Sequence, residues 1–582
     1  MKHERDAKTK EVGVKLTGAQ ILWESLVREG VDVVFGYPGG AILPAYDAML
    51  DYPVRHVLVR HEQGAAHMAD GYARASGKVG VAIATSGPGA TNLTTGIATA
   101  MLDSVPTVFI TGQVASHLLG TDAFQETDVT GITLPITKHN ALVTRAEDIA
   151  RSVREAFAIA REGRPGPVLL DICKDAQQQK TEFVWPEAVA LPGLRAVKAP
   201  RQQELERAVE LIERAERPLI LAGHGVLKSG ATPALLAFAE KTGTPVALTL
   251  LGLGGFPASH PLCLGMMGMH GEAYVNTAIQ RADLLLAFGM RFDDRVTGNL
   301  KTYAPHSKKI HVEIDASEVG KNVPVDVAIV SDLRTALLAL MPLAPEKSHE
   351  PWQREIAAGQ EETRGRDILH QPDNGNLYAA HVIRDLWEAT RGEAIVVTDV
   401  GQHQMWEAQY YSHERPRTLI TSGGLGTMGF ALPAAIGAKF ARPDAEVWVV
   451  AGDGGFQMTQ AELATLQQEQ LDVKIAVINN GYLGMVRQWQ EFFYDKRYAA
   501  TPMLSPDFVK LAEAYGIAGH RVTKRPEVKD VVSAVRKSGK PALIDFRVVK
   551  EEVVYPMVPS GATLDAMIRR PLAEPVSEEV QA

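Results

Sequence analysis

Apolar residues in this chain gather in short unbroken runs, and between the runs they recur at helical spacing. The runs at 33–35, 54–59, 79–84, 107–111 and 168–172 are bounded by turn residues, and each reads as a strand buried on both faces. The same alternation returns at 218–222, 246–249, 282–289, 310–315 and 327–330, and again at 394–398, 418–421, 446–451 and 473–478. Strands alternating with helices imply parallel sheets covered on both sides. The expected fold is α/β, with three doubly wound parallel-sheet domains at residues 14–176, 200–345 and 377–550 and a tail at 551–582. Residues 175–200 and 342–375 lack a sustained period and read as linkers, the second with some helical turns.

The third series carries the densest chemistry. Strand 446–451 runs into Gly452-Asp453-Gly454-Gly455, a helical pattern covers 458–468, and strand 473–478 ends at Asn479-Asn480-Gly481. A right-handed crossover makes the two strands parallel. Asp453 and Asn480 then lie just past the carboxyl ends of their strands, the edge where such sheets bind ligands. A carboxylate, an amide oxygen and bare glycine backbone suit a hard divalent cation that still takes ligands from a phosphate. The glycines let phosphate oxygens approach the main chain, and a helix expected to start near Thr459 aims its positive end at them. For Gly-Asp-Gly alone, a tight turn is the better explanation. The Asn-Asn pair at this distance, in this strand context, favours the metal–diphosphate site.

Composition narrows the setting. Of 582 residues, 46% are hydrophobic and 22% charged, which is ordinary for globular protein. A formal charge of −9 without a basic stripe gives no footprint for nucleic acid or an anionic membrane. Two cysteines, Cys173 and Cys263, have no CxxC partner and read as small buried side chains in a reducing compartment. No apolar run is long enough to span a bilayer, and the polar residues 1–12 read as a loose tail without a secretory signal. A cytoplasmic enzyme is the expectation.

Gly452-Asp453-Gly454, 24 intervening residues, then Asn479-Asn480 resembles the signature of the thiamine-diphosphate enzymes. Longer strings across 17–568 resemble the large, catalytic subunits of the acetolactate (acetohydroxyacid) synthases. They include His61-Glu-Gln-Gly-Ala-Ala-His-Met-Ala-Asp-Gly-Tyr-Ala-Arg74, Leu264-Gly-Met-Met-Gly-Met-His-Gly271 and Arg291-Phe-Asp-Asp-Arg-Val-Thr-Gly298. The resemblance implies that the three domains bind the cofactor's pyrimidine, FAD, and the diphosphate with Mg²⁺. Asp453, Asn480 and the carbonyl of Tyr482 would hold the metal. Val400, Gly401, Gln402, His403, Gly426, Met428, Gly452, Gly454, Gly455, Gly484 and Met485 would line the thiamine diphosphate. FAD would contact Met269, His270, Gly289, Arg291, Asp315 and Asp332, with Arg164 reaching in from the first domain. The bland alternative for the 291–295 charges is a surface ion-pair cluster of little worth.

Glu62 opens a helix, where a carboxylate is commonly just a favourable dipole partner. The resemblance instead makes it the residue that shares a proton with the aminopyrimidine N1′ and so promotes deprotonation of the thiazolium C2. It places Phe124 and Gln125 at the reaction site, Arg295 on the acceptor's carboxylate and Trp489 against its alkyl end. Met485, Val486 and Trp489 fall on one helical face, expected to turn inward. The implied reaction is decarboxylation of pyruvate and ligation to a second pyruvate or 2-ketobutyrate, the entry to branched-chain amino-acid synthesis. The implied assembly is a homodimer with active sites at the subunit interface, open to further pairing into a dimer of dimers, and a separate small regulatory subunit. Ala115, where many relatives carry Pro, and Ser560 and Thr563 in the tail depart from the family pattern away from cofactor positions.

Three rival readings remain at this stage. A pyruvate oxidase shares the three-domain plan but passes electrons to FAD. Gly424-x-Gly426-x-x-Gly429 after a strand matches a dinucleotide fingerprint, which alone is a weak signal for a dehydrogenase. A non-catalytic scaffold is the third.

Overall fold

The computed structural model describes residues 15–189, 191, 198–372 and 374–572. The expected N-terminal tail, residues 190 and 192–197 of the first linker and residues 573–582 of the C-terminal tail lie outside the described residues.

Three six-stranded sheets follow one another along the chain, every pairing within them parallel. The first runs, edge to edge, Arg55–Leu58, Val33–Gly36, Gly80–Ala84, Thr107–Gln113, Pro167–Cys173, His139–Val143. The second runs Cys263–Met266, Val246–Leu248, Pro218–Ala222, Leu284–Phe288, Lys308–Glu313, Val327–Val330. The third runs Leu419–Ile420, Ile395–Thr398, Val447–Gly452, Val473–Asn479, Ala542–Arg547, Ala518–Val522. In each, the chain builds outward on one side and then crosses to the other. This leaves a topological switch point, where loops from neighbouring strands diverge and open a crevice. A short antiparallel pair, Lys15–Thr17 with Lys180–Glu182, closes the first domain.

Buried central strands such as Val447–Gly452 are continuous apolar runs, as the sequence pattern predicts. The edge strands His139–Val143 and Ala518–Val522 are not apparent in the pattern. Each is exposed or half-buried at four of its five positions, so neither shows an unbroken apolar run. The stretch after 342 also differs from expectation. It contains a helix, Glu350–Arg364, that buries Trp352 and Ile356 against the second domain and ties the Trp352 indole to the Pro218 carbonyl (3.1 Å). Its polar remainder masks the period. Cys173 is buried as expected, whereas Cys263 is only half-buried.

The first and third domains share one apolar core. Helix Glu62–Ser76 begins at an N-cap whose His61 ring accepts from Gln63 N–H (3.1 Å), and it stops at Gly77 in the left-handed region. It lies against helix Ala431–Ala441, and the two backbones approach where side chains are absent. A Cβ on Gly71 would sit 2.0 Å from the Ala434 carbonyl oxygen, and one on Gly437 1.9 Å from that of Met68. No helix among the described residues is long and apolar enough to cross a membrane.

Candidate active site

At the switch point of the third sheet, the loops after Ile395–Thr398, Val447–Gly452 and Val473–Asn479 enclose a cavity of ≈ 50 Å³. Thirteen of the cofactor and metal candidates line it: Val400, Gly401, Gln402, His403, Met428, Gly452, Asp453, Gly454, Gly455, Asn480, Tyr482, Gly484 and Met485. Trp406, Ile478, Leu483 and Val486 complete the wall. Gly426 is absent from it but adopts φ +70 beside Val400, on the loop that leads to Met428.

The helix after the metal-candidate loop starts six residues earlier than expected. It runs Asp453–Thr459, continues as a 3₁₀ turn at Gln460–Glu462 and then as Leu463–Gln468. Asp453 is its first residue, so this carboxylate sits at the positive end of the helix itself. Ser505 Oγ donates to Asp453 Oδ2 (2.8 Å). Even so, burial raises the Asp453 pKa, with the Ser505 and backbone hydrogen bonds opposing the rise. Asn480 Oδ1 accepts from Tyr482 N–H (3.0 Å) and keeps a second lone pair, while its amide nitrogen reaches Gln402 Oε1 (3.3 Å). A buried carboxylate without a cation and an amide oxygen with spare capacity form a donor set suited to Mg²⁺.

Two further groups point to an anion in the same space. His403 Nε2 is buried with no hydrogen-bond partner, and burial holds the ring neutral with its pKa down at about 3. Gly452 and Gly454 keep the floor open, since a Cβ there would meet His403 at 2.9 Å and Leu483 at 2.8 Å.

Asp399, which the sequence reading passed over, holds the loops in place. Its carboxylate accepts N–H bonds from Val400 (2.8 Å) and Gly429 (2.9 Å), and a Cβ on Gly455 would lie 2.5 Å from it. Burial raises its pKa to about 6, with the backbone bonds opposing the rise. Its position one residue past a buried strand is the only sequence signal. Ser505 had none, lying 52 residues from Asp453.

The helix Gly484–Phe493 meets the expectation only in part, since half-buried Met485 packs on the third-domain core. Met485 and Val486 line the cavity mouth and Val486 is exposed, while Arg487 and Gln488 are the buried residues. Gln488 bonds Gln402 (2.9 Å) and the tail at Val554 N–H (2.7 Å), so polar pairing overrides the apolar period. Trp489 packs edge-on against Phe493.

Glu62 lies outside the cavity wall. It is buried, accepts from Asn92 Nδ2 (2.8 Å), and sits 3.2 Å from where a Gly89 Cβ would be. Gln125 is held at φ +61 against Gly87, and its neighbour Phe124 is 88% exposed. Glu462 of the third domain accepts the N–H groups of Arg60 (3.0 Å) and His61 (3.1 Å), fixing the strand-to-helix turn before Glu62.

In the second domain, the switch point brings the turns after Pro218–Ala222 and Leu284–Phe288 into backbone contact. Gly225 N–H donates to the Gly289 carbonyl (2.8 Å), and Gly289 has φ +57. Arg164 reaches across from the first domain to Glu318 (2.9 Å) and Asp315 (3.4 Å). His270 is buried, with Nδ1 3.2 Å from the Pro556 carbonyl oxygen of the tail. Asp332 caps helix Leu333–Leu340 through Thr335 N–H (3.0 Å). Arg291 lies 4.0 Å from Asp293. Arg295 is largely exposed, 3.7 Å from Asp294 and 3.5 Å from the Met269 sulfur. No hydrogen bond or ring contact among the described residues joins Arg295 to Trp489.

The dinucleotide-like glycines have another use. Gly423 and Gly424 N–H donate to the Asp103 carboxylate (3.1 and 2.7 Å) and Gly429 N–H to Asp399, so these amides hold protein carboxylates and present no free anion cradle.

Family profiles match all three domains. The N-terminal TPP binding domain of thiamine pyrophosphate enzymes matches residues 16–132, the central domain 205–340 and the C-terminal TPP binding domain 399–546. The chain is 51% identical to the acetolactate synthase large subunit of Corynebacterium glutamicum, over 94% of this chain and 89% of the relative. It is 50% identical to the acetolactate synthase of Mycobacterium leprae, over 97% and 93%. It is 46% identical to the isozyme 2 large subunit of Escherichia coli, over 95% and 100%. The chain belongs to the acetolactate synthase family of thiamine pyrophosphate enzymes. That family membership accounts for the third-domain cavity and removes the dehydrogenase and scaffold readings.

Proposed function

We propose that this chain is the catalytic large subunit of an acetolactate synthase, joining pyruvate, after loss of CO₂, to a second pyruvate or to 2-ketobutyrate. The observation that carries the reading is the cavity at the third switch point, where Asp453, Asn480 and His403 converge. Asp453, Asn480 and the Tyr482 carbonyl would hold Mg²⁺, and the Gly452–Gly455 turn with His403 would receive the diphosphate. Thiamine diphosphate, when bound, would supply a nucleophilic carbon for the keto carbonyl and a cationic ring to take up the electrons released by decarboxylation. Met428, Leu483 and Met485 would exclude water around it and fix its orientation. Glu62 would hold a proton against the pyrimidine ring nitrogen, a role suited to a carboxyl withdrawn from bulk water.

Because Glu62 is not part of the cavity in its own chain, the reading takes the partner subunit's Glu62 to complete each site. Exposed Phe124, Leu134 and Leu118 on the first domain, and Met458 and Leu504 on the third, support apolar surfaces covered by a second copy. FAD would lie along the crevice formed by Gly223–Gly225 and Gly289, with Arg164, His270 and Arg291 around it. Arg295 would take the acceptor's carboxylate and Trp489 its alkyl end. The "large subunit" names of the relatives support a separate small subunit, and the reading places the enzyme in the cytoplasm.

Product analysis on pyruvate, with and without oxygen, tests the reading. Acetolactate formed at equal rates in both, with oxidised flavin throughout, is the expected outcome. Oxygen consumption matched to CO₂ release would replace it with the oxidase.

A further inference from the structure

A second cavity, of ≈ 20 Å³, lies where all three domains meet. Arg74 enters it from the first domain, His224 and Lys228 from the second, and Arg417 and Thr421 from the third. A void of this size holds one or two water-sized species.

Its charges do not balance. Two carboxylates stand near, and both pair with Arg74. Asp70 accepts from Arg74 Nε (2.5 Å). Asp103 accepts from Arg74 Nη2 (2.7 Å) and from the Gly423 and Gly424 amides. Against two carboxylates stand Arg74, Lys228 and Arg417, one positive charge in excess when all are ionised. Lys228, half-buried, lines the void and makes no hydrogen bond or ion pair among the described residues. Arg417 donates to the Arg74 carbonyl (2.8 Å) and has no carboxylate partner among the described residues. It is held at φ +64, a conformation a residue with a Cβ adopts rarely. Burial, with Arg74 and Arg417 adding to it, brings the Lys228 pKa down to about 7, the response of a cation lacking its counterion.

We propose that the junction of Arg74, Lys228 and Arg417 is a binding site for one small monovalent anion of about chloride size. The anion restores neutrality and completes the open donors. His224, in the Gly223–Gly225 turn assigned to FAD, also lines the void, so the anion would sit beside that crevice. Its three cations come from three domains, and occupation braces the domain junction. Arg74 lies on the helix that begins at Glu62, so that helix is braced as well.

The test uses the holoenzyme, loaded with thiamine diphosphate, Mg²⁺ and FAD, and crystallised with bromide in place of chloride. An anomalous bromide peak within hydrogen-bond reach of Lys228 Nζ is expected in the wild type and absent in Lys228→Met. At constant ionic strength, replacing glutamate by bromide should raise the melting temperature by on the order of 2 °C in the wild type and not in Lys228→Met. A water refined at that position without an anomalous peak, or a flavin phosphate occupying it, would overturn the proposal. An equal thermal response in both proteins would do the same.

Discussion

The cavity of the third domain and the Glu62 loop of the first sit on sheets of the same plan, yet they are finished to different degrees. Around the cavity, Asp399 ties its own loop to the one at Gly429, and Gln402 bonds Gln488, both by buried hydrogen bonds within the chain. Around Glu62 the backbone is equally well fixed, by His61, Asn92 and Glu462, but the surface beside it ends in the exposed ring of Phe124. One half is a complete container. The other is a rigid edge that ends on an exposed aromatic ring. Chemistry that depends on the container should therefore survive in a single chain, while chemistry that depends on Glu62 should require two.

Substitutions separate the halves. Glu62→Gln keeps size and hydrogen bonding but removes the shared proton. It should lower turnover by about 100- to 1000-fold while Mg²⁺-dependent cofactor affinity stays within about twofold. Steady-state rates and calorimetric titration check the two quantities, and a matching loss of affinity would merge the halves. Asp453→Ala should do the reverse at the binding step, weakening thiamine diphosphate by about 100-fold with the melting temperature of the apo protein nearly unchanged.

Trp489→Leu lies at the rim and should have a smaller effect. An ethyl group covers an indole better than a methyl does, and one buried methylene is worth roughly 1 kcal/mol, or about tenfold in selection. Competition between 2-ketobutyrate and pyruvate should show that preference flattened with total turnover retained; an unchanged product ratio would remove Trp489 from the acceptor site.

The smallest effect concerns His403. Its imidazole is neutral in the fold, with a pKa pulled down to about 3 by burial, whereas the unfolded ring titrates near the ordinary value of about 6.5. Stability present above pH 6.5 is thus lost as pH falls from about 6.5 toward 3. In the apo protein, His403→Gln should recover about 1 kcal/mol of that loss near pH 5.5. Urea unfolding at two pH values measures it.

Sequence periodicity located most central strands because they are buried on both faces and so cannot alternate, but it missed Ala542–Arg547, an interior strand of the third sheet. It overlooked His139–Val143 and Ala518–Val522, edge strands with mixed faces, and the helix Glu350–Arg364, which buries little besides Trp352 and Ile356. Asp453 and Asn480 were legible because the βαβ crossover fixes their separation along the chain. Ser505 and Glu462 were not, because what they do depends on partners brought together only by folding. The inward face expected at Met485 and Val486 holds for half-buried Met485 but not for exposed Val486, for a related reason: buried Gln488 pairs with Gln402, and an apolar count cannot register a satisfied polar contact.

The most direct test of the two-chain site mixes two inactive proteins. Glu62→Gln and Asp453→Ala chains, dissociated and reassociated together, form dimers in which one site carries both defects and the other carries neither. Random pairing should restore about a quarter of wild-type activity. Activity no higher than that of either parent, with mixed dimers demonstrated by mass spectrometry, would contradict the account and place Glu62 and Asp453 of one chain in the same site.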